Sequence, residues 1–181
     1  MHTPFLIGSH VYLRPYERGD APHFVRYLND PEVRRYTSRD WPLSLVEEEA
    51  FIEQTAASHD SVACSVCLLD GDRLIGAAGF RFFNWPARHA GFGIAIGEKD
   101  CWNKGLGTEA TCLLLNHAFD TLNLNRVWLD VYEFNARAVR VYEKLGFQHE
   151  GRLRQDAFRD GQYWDTLRMG LLREEWINRA G

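Results

Sequence analysis

Gly93-Ile-Ala-Ile-Gly-Glu-Lys-Asp-Cys-Trp-Asn-Lys-Gly-Leu-Gly-Thr108 is the stretch from which the rest of the chain can be read. It leaves an apolar, strand-like run at residues 90–96 and crosses a short loop. It then opens the longest helical pattern in the sequence, residues 106–122, with Leu106, Ala110, Leu113, Leu114 and Ala118 on one stripe. Gly105 and Gly107 lack a Cβ, so a ligand can come close to the backbone there. The first N–H groups of a helix have no intrahelical partner, and the helix dipole adds positive potential, an arrangement that suits a pyrophosphate. Lys104 adds a cation beside it. The spacing is not that of a Walker loop, which needs Gly-x-x-x-x-Gly-Lys-Ser/Thr. A dinucleotide fingerprint wants a third glycine where Ala110 stands, and since Ala can fill that place, the reading is weakened rather than removed. A glycine-rich helix start with no ligand remains the alternative.

Before this stretch, residues 10–14 read as a strand ended by Pro15. Asp20-Ala21-Pro22 starts a helix that Asn29-Asp30-Pro31 stops. Ser44, with Glu47 three residues on, opens a second helix to about residue 58. Residues 62–69 and 73–83 are strand-like and are separated by Asp70-Gly71-Asp72, a hairpin signal. After it come a strand at 126–132 and a helix at 136–145 closed by Gly146. A hairpin of residues 147–158 and 163–171 turns at Asp160-Gly161. This order predicts an α+β fold, a mixed and mostly antiparallel sheet of about seven strands flanked by helices. Absence of linkers, repeats and biased segments predicts one domain over residues 1–181.

With 45% hydrophobic and 25% charged residues, the composition is that of an ordinary globular protein. The net charge of −4 argues against general nucleic-acid binding. No apolar run reaches membrane-helix length, and the first eight residues lack the pattern of a secretory signal, so the cytoplasm is the expected compartment. Cys64 and Cys67 have metal-like spacing. On a strand, however, residues three apart point to opposite faces, so no metal site is expected.

Trp102-Asn-Lys-Gly-Leu-Gly-Thr108 resembles the acyl-CoA pyrophosphate loop of the GNAT superfamily of N-acetyltransferases, Gln/Arg-x-x-Gly-x-Gly/Ala, with Trp102 in the place of Gln or Arg. Leu13-Arg14-Pro15, Leu28-Asn29-Asp30-Pro31-Glu32-Val33, Asn135 with Tyr142-Glu-Lys-Leu-Gly-Phe147, and the tail Gly151-Arg-Leu-Arg154, Asp160-Gly161 and Asp165 are similar to its RimJ/RimL-like branch. That branch acetylates ribosomal-protein N-termini among other amines.

The resemblance implies an acetyl-CoA-dependent N-acetyltransferase in which the cofactor wedges between two splayed parallel strands, here residues 90–96 and 126–132. It implies cofactor contacts from Ile94, Ala95, Ile96, Trp102, Asn103, Lys104, Gly105, Leu106, Gly107, Thr108 and Asn135. Tyr142 would act at the coenzyme sulfur: a leaving thiolate with a pKa of about 8.5 lies within reach of a positioned phenol. Asn135 also reads simply as a helix cap and Tyr142 as a core aromatic. An ammonium acceptor must lose a proton before attack. Glu98 is the first choice of base, with Asp130, Glu133 and His89 behind it. The acceptor pocket is expected from residues 36–41, Asn84-Trp85-Pro86 and the last hairpin with Tyr163 and Trp164. A protein N-terminus, a polyamine or another small amine would fit it, and a homodimer is the family-level expectation. The competing classes are a non-catalytic acyl-CoA-binding regulatory module and a nucleotide-binding protein using the same loop.

Overall fold

The computed structural model describes residues 2–58 and 60–179. Strands β1 (Leu6–Ile7) and β2 (Val11–Pro15) lead to helices α1 (Ala21–Asn29), α2 (Pro31–Arg34) and α3 (Leu45–Ala57). Strands β3 (Val62–Leu68), β4 (Leu74–Asn84) and β5 (His89–Ile96) follow, then helix α4 (Leu106–Asn116). The rest is β6 (Arg126–Tyr132), α5 (Ala136–Lys144), β7 (Gln148–Arg159), β8 (Gln162–Leu172) and α6 (Arg173–Asn178). The strands hydrogen-bond in the order β1-β2-β3-β4-β5-β6-β8-β7, one more strand than the seven expected. The addition is β1, two residues long and too short to carry an alternating pattern. The fold is α+β, its sheet mixed and mostly antiparallel, with β5–β6 as the parallel pair.

Two compact units can be distinguished, Met1–Arg81 with Gly93–Leu114, and Phe82–Phe92 with Leu115–Gly181. In the first, antiparallel ladders join β1 to β2, β2 to β3 and β3 to β4. Tyr12, Phe24, Tyr27, Val33, Ile52, Cys67 and Leu74 form its apolar cluster, with Trp102 packed against it. Cys64 and Cys67 are buried free thiols on β3, and burial raises the pKa of each, Cys64 to about 12. Beneath β2, Arg14 forks onto Asp20 at 2.8 and 2.6 Å, and Ser65 donates to the same carboxylate at 2.6 Å.

In the second unit β8 pairs with β6 from Arg126↔Leu172 to Tyr132↔Thr166, and β7 pairs with β8 through two irregularities. The parallel register of β5 with β6 is His89↔Arg126, Ala90↔Val127, Gly91↔Trp128. Helix α4 continues into a π-helical turn, His117–Thr121, which accounts for the long apolar pattern.

Two helices depart from the sequence reading. Asn29-Asp30-Pro31 does stop α1, but it also starts α2: Asp30 accepts from the N–H groups of Glu32 and Val33, and Pro31 occupies the first turn. Helix α6 is a short C-terminal element whose start is tied by Glu175 accepting the Leu172 N–H at 2.8 Å. Six residues are too few to show helical periodicity.

Candidate active site

Beyond β5 the chain makes a single 3₁₀ turn, Lys99–Cys101, and then enters the glycine loop. Asn103 and Gly105 both take left-handed backbone, φ +61° and +78°. Asn tolerates that region and glycine pays no Cβ penalty there, so these two residues bend the chain into the start of α4. Asn103, Lys104 and Gly105 are exposed, while Leu106, Gly107 and Thr108 are half-buried. A Cβ on Gly107 would make ordinary contact with Ile96 and Ile94, which fits a pattern that admits either Gly or Ala at this place.

Trp102 turns away from the loop's exposed edge. Its indole N–H donates to the Ile96 carbonyl at 2.7 Å, and its ring meets Tyr36 edge-on, 6.3 Å between centroids. The side chain braces the loop onto the end of β5. It also engages the Ile96 carbonyl, one of the groups expected to face pantetheine.

Glu98 is committed. It accepts from the Tyr27 hydroxyl at 2.8 Å and from the Arg26 guanidinium. Burial works to raise its pKa, but the bonds from Arg26 and Tyr27 outweigh it and the net shift is downward. A carboxylate held this way suits a brace better than a proton acceptor, so its choice from position alone loses its support. The other acids named with it are engaged as well. Asp130 takes a two-pronged bond from Arg168 at 2.8 and 2.6 Å. Glu133 accepts the Asp165 N–H at 2.9 Å and pairs with Arg152 at 3.1 Å. His89 keeps its Nδ1 buried without a hydrogen-bond partner among the described residues.

Asn135 caps α5, its side chain accepting the Ala138 N–H at 3.2 Å. Two turns on, Tyr142 is buried, packed edge-on against Phe92 at 6.5 Å and Phe147 at 5.7 Å. Burial pushes its phenol up to about 12. Among the described residues its hydroxyl has no hydrogen-bond partner, so the ring is fixed while the oxygen is uncommitted.

Sequence reading missed an aromatic platform in the second unit. Phe82 is 72% exposed and left-handed at φ +56°, an unusual state for a bulky residue. It stacks on Trp128, 6.0 Å between centroids and 21° between planes. Arg168 lies 4.4 Å from the Trp128 ring centroid. A Cβ on Gly91 would strike Trp128, so the ring takes the room that glycine leaves. Phe82 and Trp128 stand on different strands, and only the sheet register joins them. Among the described residues there is no cluster of three or more His, Cys, Asp or Glu arranged for a metal, and no helix long and apolar enough to cross a membrane.

Residues 10–148 match the family model of the acetyltransferase (GNAT) domain. The spermidine N(1)-acetyltransferase of Escherichia coli (strain K12) is 33% identical over 172 residues, 92% of this chain and 88% of that protein. The structure of a spermidine N-acetyltransferase from Vibrio cholerae in complex with CoA and spermine is similar with a TM-score of 0.87 and 29% identity, over 94% of this chain and 100% of that one. A structure of the Vibrio cholerae enzyme described as dodecameric and in an intermediate state is similar with a TM-score of 0.83 and 28% identity, over 96% of this chain and 100% of that one.

Proposed function

The chain belongs to the acetyltransferase (GNAT) family and is an acetyl-CoA-dependent N-acetyltransferase, and on that premise we propose that its acceptor is the primary amine of a small molecule. The observation that carries the donor side is the left-handed pair Asn103 and Gly105, which leads into the N-terminus of α4 at an exposed loop. The N–H groups of Gly105, Leu106, Gly107 and Thr108 hold the pyrophosphate, with Lys104 beside them. The backbone of Ile94, Ala95 and Ile96 lies along the pantetheine arm, and an N–H there stabilises the oxyanion. Asn135 serves chiefly as the cap of α5.

The neutral amine attacks the thioester carbonyl directly, its nitrogen gives up a proton to water, and the tetrahedral intermediate collapses to amide and coenzyme A thiolate. The hydroxyl of Tyr142 donates to that thiolate. With Glu98, Asp130 and Glu133 engaged, the amine's own ionisation sets the acid side of the rate profile, so kcat/KM climbs toward the amine pKa. One domain carries this work, in the cytoplasm and as a homo-oligomer. The oligomer reading takes support from the dodecameric relative.

Within small amines, polyamines have the support of the relatives named above. A protein N-terminus, the substrate implied by the RimJ/RimL-like likeness, has none from those relatives. A second reading rests on the platform: Phe82 and Trp128 would stack on a planar amine and have no such use for a linear one. Thiol release with spermidine, phenethylamine, hexylamine and an alanine-initiated peptide separates these acceptors. Highest kcat/KM for spermidine supports the polyamine reading, and highest for phenethylamine the platform reading. Activity on the peptide alone contradicts the small-molecule proposal.

A further inference from the structure

Glu109 stands in the first turn of α4, just after the glycine loop. An acid there ordinarily faces solvent and is favoured by the helix dipole alone. This one reaches instead to the turn between β1 and β2. Its Oε1 accepts the backbone N–H of Ser9 at 2.5 Å and of His10 at 2.8 Å, and its Oε2 meets His10 Nδ1 at 3.0 Å. Burial favours the neutral acid, but the bonds from His10 and Ser9 outweigh it and hold the group ionised. Gly8 completes the seat. A Cβ there would run into Glu109 Oε1 and lie 3.1 Å from the Val11 carbonyl oxygen. Gly8 is not among the left-handed glycines, so the constraint on it comes from the carboxylate and not from its own backbone.

We infer that Glu109 is a positioning residue for coenzyme A: by fastening α4 to the turn at Ser9 and His10, it fixes where the N–H groups of Leu106, Gly107 and Thr108 point. This rests on the reading of the glycine loop as the coenzyme site. Two effects of opposite sign make it testable. A carboxylate in the first turn repels a pyrophosphate, so removing its charge would by itself tighten coenzyme binding. Removing the anchor lets the helix start move, which weakens binding. Position outweighs charge here, because two backbone donors and His10 already offset the charge, while small misplacements of binding groups are costly.

The test uses the full chain, with thiol release at varied acetyl-CoA and calorimetry with coenzyme A. Glu109→Ala, which removes the accepting oxygens, and Gly8→Ala, on different segments, are each expected to raise the KM for acetyl-CoA and the Kd for coenzyme A about tenfold. The kcat and the amine KM should stay nearly unchanged. Combining the two should cost little more than either alone, because both disturb one contact. Unchanged or tighter coenzyme binding in Glu109→Ala overturns the inference, and so does an equal loss in kcat and amine KM. Gly8→Ala keeps every other side chain and carries the test if Glu109→Ala folds poorly. Gly105→Ala keeps the two claims apart. If it leaves coenzyme affinity intact, the loop is not the site and the inference falls with that reading. If it weakens binding while the other two variants do not, only the positioning role of Glu109 falls.

Discussion

Replacing Tyr142 by Phe removes one oxygen from a ring already fixed by Phe92 and Phe147, so the fold should hold while the chemistry changes. An unburied phenol with a pKa of about 10 would give its proton to a thiolate of about 8.5 at a cost of about 2 kcal/mol. Burial pushes the Tyr142 phenol up to about 12, and the same transfer then costs about 5 kcal/mol. Complete transfer is therefore unfavourable, and the hydroxyl acts as a hydrogen-bond donor to the developing thiolate. Hydrogen bonds to charged groups contribute roughly 1.5–3 kcal/mol, which corresponds to a fall in kcat of roughly 10- to 150-fold in Tyr142→Phe. The KM for acetyl-CoA should move by less than about twofold, since the bond strengthens only as charge develops. The sign with pH follows. The working form is the protonated phenol, and burial keeps it protonated from about pH 6 to pH 10, so Tyr142 adds no basic limb there. Thiol release across that range, for both proteins, is the assay. Unchanged kcat in Tyr142→Phe removes the residue from its role. A wild-type basic limb near pH 9 to 10 that disappears in the variant would show a phenol of ordinary acidity and refute the burial argument.

Gly105→Ala places a Cβ at φ +78° and should cost about 1–2 kcal/mol by denaturant unfolding, with weaker acetyl-CoA binding. Gly71→Ala, at φ +77° in the β3–β4 turn, should cost the same stability and leave coenzyme binding alone; equal effects on binding would detach the loop from the coenzyme. Breaking the buried Arg14–Asp20 pair with Asp20→Asn should cost about 3–5 kcal/mol. Burial raises the Asp20 pKa, but Arg14, Ser65 and the Glu17 N–H outweigh it and hold it low. Its stabilisation is thus present above the unfolded value of about 3.9 and lost as pH falls through the folded one. A variant whose Tm drops as steeply in acid as the wild type contradicts this. Glu98→Gln should lower stability and keep the acid limb of kcat/KM. Loss of that limb would restore Glu98 as the base.

Much of the fold is legible in local signals. Ser44 caps α3 by accepting the Glu47 N–H at 3.2 Å, and Asp70-Gly71-Asp72 turns β3 into β4, because both signals sit within a few residues of the structure they cause. Asp30-Pro31 shows the limit: it reads as a stop, although an Asp cap followed by Pro is also a start. What stayed hidden depends on partners far apart in the chain. Arg26 and Glu98 are separated by 72 positions and Glu109 and His10 by 99, and no local pattern marks either pair. Trp102 departs from the family loop already in the sequence, but its bond to Ile96 follows from the 3₁₀ turn between them, which the sequence does not announce.

Direct acetyl transfer to a small amine is tested most plainly by one measurement. The purified protein is incubated with acetyl-CoA and either spermidine or phenethylamine. Free thiol and N-acetylated amine are then quantified together, by thiol reagent and by mass spectrometry. Both products should accumulate in equal amounts with at least one of the amines, at a rate that falls in Tyr142→Phe. Tight acetyl-CoA binding with neither product formed would mark a non-catalytic binding module and contradict it.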